Sequence, residues 1–127
     1  NLTPEGDIKA WIWRSAKTTA FSIRGHGDYR ITDAAILPGG DILILQRSFR
    51  TLPAMALARI ASADIKVGEA VAPRLLYEAM APFHAVDNME GLALCQRGEE
   101  LRVTLISDDN FNTTLQRTLL LQFAYRP

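Results

Sequence analysis

Two short polar blocks hold the side chains best suited to chemistry, Asp87-Asn88-Met89-Glu90-Gly91 and Ser107-Asp108-Asp109-Asn110-Phe111. Carboxylates and amides gathered in one place bind hard divalent cations such as calcium, which makes Glu90, Asp108, Asp109 and Asn88 a candidate cage. A cation held there would polarise a substrate oxygen and acidify a bound water, so Glu90 and Asp108 are also the candidate catalytic carboxylates. His84, three residues before Asp87, is a candidate general base because an imidazole titrates near neutral pH. The competing reading is structural, since Asp and Asn at strand ends commonly bind loop amides.

Two familiar motifs fail. Asp108 to Asn112 places acids or amides at alternate positions like a calcium loop, but the sixth position is Thr113 instead of glycine and the twelfth is Leu119 instead of glutamate. No G-x-S-x-G elbow surrounds Ser48 or Ser107, which leaves no serine nucleophile of that type.

A hairpin is what must bring the two blocks together. Apolar runs at 91–95 and 101–106 flank a polar turn at 96–100, and an antiparallel pair sets the start of its first strand beside the end of its second. A second hairpin, ITDAAILPGGDILILQRSF at 31–49, turns at Pro38-Gly39-Gly40-Asp41. The two align with Asp33 opposite Glu90, Gln46 opposite Asp108, Arg47 opposite Asp109 and Phe49 opposite Phe111, a spacing of 57 residues (90 minus 33).

Repeats of this kind mark propeller blades. The expected fold is all-β, with antiparallel four-stranded meander blades forming a partial β-propeller over a single domain, 1–127. On this register 8–14 and 20–23 are the outer strands of one blade, 33–79 a whole blade and 90–125 three strands of a third. That is about two and a half blades, fewer than the four or more of a closed propeller. The alanines of residues 52–63 permit a helix, with a strand over 56–61 as the rival. Loops entering the innermost strand and leaving the second share one face, so Asp33, Glu90, Gln46, Arg47, Asp108 and Asp109 should converge at one channel mouth. There Arg47, Asp33 and Asn110 are candidate substrate contacts, with Arg47 offsetting anionic charge.

The chain has 14 Lys plus Arg against 14 Asp plus Glu among 127 residues, so no basic field exists to hold nucleic acid. No apolar run approaches the roughly 18 residues of a membrane-spanning helix. The lone Cys95 lies in an apolar run and is expected to be buried and inert. Open sheet edges call for missing blades or self-association to cover them.

YRITDAAILPGGDILILQRSF, DNMEGLAL and LISDDNFNTTLQRTLLLQF together resemble the C-terminal part of bacterial phytase-like proteins with an esterase-like activity domain. The resemblance implies a β-propeller, a small-molecule ester or anionic ligand at the channel mouth, and a periplasmic or secreted location. It favours metal-assisted hydrolysis of a phosphate or carboxylic ester. The alternative is a non-catalytic propeller module that binds a ligand or protein.

Overall fold

Period-two alternation governs most of the chain. In IKAWIWR, Ile8, Ala10 and Ile12 turn inward while Trp11 and Trp13 remain 50% and 72% exposed. The computed structural model describes residues 1–109, 111, 114 and 117–126. Among these the strands are β1 (Ile8–Arg14), β2 (Lys17–Ile23), β3 (Arg30–Ile36), β4 (Ile42–Phe49), β5 (Pro53–Ile60), β6 (Ala70–Val71), β7 (Arg74–Met80), β8 (Met89–Arg97), β9 (Glu100–Ser107) and β10 (Leu120–Tyr125). A single 3-10 turn, Ser62–Asp64, follows β5.

Three sheets result, in the orders β1-β2-β6, β3-β4-β5-β7 and β10-β9-β8. All pairings are antiparallel except the short β2–β6 pair. The fold is therefore all-β with a four-stranded meander at its centre, a partial, propeller-like arrangement. Gly39 and Gly40, with φ of 101° and 95°, make the β3–β4 turn that PGGD signals. The β1–β2 turn is different. It uses Ser15 and Ala16 at φ 45° and 64°, so Lys17, Thr18 and Thr19 pair within β2, which starts three residues before the expected 20–23. Within the ambiguous 52–63 stretch Pro53–Ile60 is strand, with Ala54, Ala56 and Ala58 buried in it, and the chain then enters the 3-10 turn.

The middle sheet is covered on both faces. Ile44, Ala58 and Ile60 pack on Phe21, Ile23 and Val71 of the first sheet. Leu43, Leu45, Met55 and Leu57 pack on Met89, Val103 and Leu105 of the third. Cys95 is exposed, contrary to expectation, because Leu92 and Leu94 take the inward face of β8 and alternation turns Cys95 away.

The pairing registers also shift the internal repeat by one residue. β3 has a bulge at Thr32, between Ile31 opposite Gln46 and Asp33 opposite Leu45. β8 has its bulge at Glu90, between Met89 opposite Ser107 and Gly91 opposite Ile106. Matching bulge to bulge aligns Thr32 with Glu90, Gln46 with Ser107 and Arg47 with Asp108. On this register Leu45 and Ile106 are counterparts on the same face, and Leu45 is buried against the third sheet while Ile106 is 45% exposed.

Candidate functional site

The β8 bulge is held in place by its neighbours. A Cβ on Gly91 would lie 2.5 Å from Cγ2 of Ile106, so a larger residue would force the Ile106 side chain or the β8–β9 pairing to shift. Thr32 Oγ1 donates to the Met89 carbonyl at 3.0 Å. Asp33 accepts from the backbone N–H of Leu92 at 2.7 Å and from Ala34 N–H at 2.8 Å. The start of β3 is thereby fastened to the start of β8 through Thr32 and Asp33 Oδ2, while Asp33 Oδ1 accepts from its own strand neighbour Ala34.

Arg47 crosses from β4 into the same region. Its Nη1 donates to Asn88 Oδ1, and its Nη2 lies 3.3 Å from Glu90 Oε1. Asn88 Nδ2 donates to the same Oε1 at 2.8 Å, closing a triangle of guanidinium, amide and carboxylate. Asn88 is 1% exposed, whereas the Arg47 and Glu90 side chains are 35% and 37% exposed, so a buried amide orients two groups that solvent can still reach. Arg47 Nε is enclosed without an acceptor among the described residues.

The remaining acids of the two blocks do other work. Asp87 is buried, and its carboxylate accepts from Asn88 N–H and Arg117 N–H, both at 2.8 Å. Ser107 Oγ donates to the Arg117 carbonyl and accepts from Leu119 N–H, each at 2.7 Å. Asp109 accepts from Phe111 N–H at 3.0 Å and from Thr118 Oγ1 at 3.4 Å. Asp108 is exposed beside the triangle, its N–H donating to the Asn88 carbonyl at 2.9 Å. His84 sits at the end of β7, its N–H on the Met80 carbonyl and its ring edge-on to Tyr77. No contact among the described residues joins it to Glu90. Asn110 lies outside the described residues.

Of the residues expected at one mouth, the structure joins Arg47, Asn88 and Glu90, with Asp33 and Asp108 alongside. Gln46 departs to the opposite face of β4. Thr32 was missed, since its bulge position shows in the strand register and has no signature in the sequence. Asp87 was visible in the first block, but its burial as a double acceptor was not.

Several oxygens of the proposed cage already hold partners within the chain. A guanidinium occupies Asn88 Oδ1 and Glu90 Oε1, and Asp109 holds its own loop. Among the described residues no three of His, Cys, Asp or Glu are grouped as ligands. What the triangle presents is an oriented cation next to an acceptor, a geometry that suits an anionic or developing negative oxygen.

The family model for phytase-like proteins, described as esterase-like activity of phytase, matches residues 2–111 and so includes Asp33, Arg47, Asn88 and Glu90. No curated protein and no solved structure matches the chain. No helix among the described residues is long and apolar enough to cross a membrane. With its family model matched across both hairpins and the residues that join them, the chain belongs to the phytase-like family.

Proposed function

We propose that the chain contributes the reacting end of an ester hydrolase, with a phosphate or carboxylic ester held where β4 meets β8. The observation that supports this reading is the Arg47–Asn88–Glu90 triangle, oriented from a buried side and open on the other. Arg47 binds an anionic oxygen of the substrate or the oxyanion that develops on attack. Glu90 takes a proton from water as the water oxygen adds to the carbonyl carbon or phosphorus. The bond to the leaving alkoxide oxygen then breaks, and the proton passes to that oxygen. Periplasmic or secreted location belongs to the same proposal and rests on the family alone.

The test is turnover of aryl phosphate and aryl acetate substrates by the full-length protein. Glu90→Gln should lower kcat about 100-fold, and Arg47→Ala by a similar factor. Unchanged turnover in Glu90→Gln would overturn the reading. A second reading, a non-catalytic binding module, is favoured by the aromatic face of β1, where Trp11 and Trp13 are exposed. It expects no turnover on either substrate class and reduced partner binding in Trp13→Ala.

A further inference from the structure

Gln46 is buried with its amide nitrogen unanswered among the described residues. Alternation along β4 sends Arg47 to the third sheet and Gln46 to the first, and there Gln46 is 1% exposed. Its Nε2 has no acceptor among the described residues. Buried amides are almost always hydrogen-bonded, and an orphaned one calls for a ligand, a water or a functional reason.

A cleft of about 210 Å3 lies against this side chain, lined by Arg24, Gly25, His26, Gln46, Ala58 and Pro73 among others. One water needs roughly 10–15 Å3, so the space admits something larger. Arg24 is anchored at the end of β2, its N–H on the Val71 carbonyl at 2.9 Å, and its guanidinium pairs with no carboxylate among the described residues. His26 stands over Tyr29 with ring centroids 4.9 Å apart, and its Nε2 lies 3.5 Å from Glu78 Oε1. No carboxylate lines the cleft, and its side-chain hydrogen-bonding groups are an amide, a guanidinium and an imidazole. Donors around a small concavity, with an unanswered N–H at the buried side, select a compact group rich in acceptor oxygens.

We propose that the cleft between the first and second sheets binds a small oxyanion, a phosphate or carboxylate group, with the Gln46 amide donating from its floor and Arg24 closing on it from the mouth. This site is on the opposite face of β4 from the Arg47–Glu90 pair and stands without the hydrolase reading.

The test uses the full-length protein carrying Arg47→Gln, so that the other candidate anion site contributes nothing, and measures binding of inorganic phosphate and of acetate by titration calorimetry. At least one anion should bind saturably, and which of them binds more tightly separates a phosphoryl from a carboxylate occupant. Adding Gln46→Met or Arg24→Gln should each weaken that binding at least tenfold. Arg24 is exposed, so its variant keeps the test decisive even if Gln46→Met perturbs folding. The proposal fails if neither anion binds, if Arg47→Gln alone abolishes binding seen in the wild type, or if both cleft variants leave affinity unchanged. A Gln46→Met protein that melts higher while no anion binds would show an amide that is merely hydrated, and would also overturn it.

Discussion

The two faces of the middle sheet are built from the same strands yet end differently. Toward the third sheet, Leu43, Leu45, Met55 and Leu57 form an apolar layer whose inner end is fastened by Thr32 to Met89, Asp33 to Leu92 and Arg47 to Asn88 and Glu90. Toward the first sheet, Ile44, Ala58 and Ile60 form a comparable layer, but the Nε2 of the corresponding polar residue, Gln46, finds no acceptor among the described residues. The lesson is that adjacent polar residues can differ in kind. One face engages its polar groups with one another, Arg47 Nε excepted, and so fixes the geometry of a site, whereas the other leaves the Gln46 Nε2 donor without an acceptor among the described residues.

Matched substitutions across β4 give the largest expected effect. Leu45→Ala and Ile44→Ala, at 0% and 1% exposure, should each cost about 2–5 kcal/mol in urea denaturation. A loss from Ile44→Ala well below that range would mean that the first sheet is not packed against the second in solution, and the comparison would break. The polar pair comes next. Asp33→Ala strips the acceptor from two backbone N–H groups and should cost about 1–3 kcal/mol, whereas Gln46→Met removes an unanswered amide and should be neutral or stabilising by up to about 1 kcal/mol in the absence of anion. The reverse order would invert the assignment of the two faces.

The smallest effect is in acid. The Tyr29 phenol donates to Glu78 at 2.6 Å, and with His26 beside it this holds the Glu78 carboxyl below its usual range. Burial, followed by Glu78 itself, pushes the Tyr29 phenol well above its ordinary value. Because the folded pKa of Glu78 lies below the unfolded one, its contribution is complete above the ordinary carboxylate pKa of about 4.3 and is lost as pH falls through the lowered value. Glu78→Gln should therefore flatten the acid limb of a plot of Tm against pH on the first-sheet side. The Glu78 side chain is 42% exposed, so the effect should be modest.

Much of this architecture was legible from local pattern. Alternation in IKAWIWR, the PGGD turn and the paired apolar runs flanking 96–100 each specify strands, because side-chain period and turn chemistry act over a few residues. Hairpin geometry and the repeat put Arg47 and Glu90 at the same end of their sheets, but gave no sign that Asn88 would bridge them. The one-residue slip in that repeat was hidden because a bulge absorbs a residue without disturbing the apolar alternation around it. Cys95 was misplaced for a related reason, since an apolar run does not say which parity faces the core.

The amino-acid sequence alone determined that this chain is β-rich, that its two hairpins are related and that their acidic and amide residues cluster near strand ends, because each depends on local spacing. Tertiary structure decided which oxygens hold loops and which remain open to solvent, and that Gln46 and Arg47 part company across β4. Those outcomes depend on which sheet lies against each face, a relation between residues far apart in the chain that local pattern does not encode.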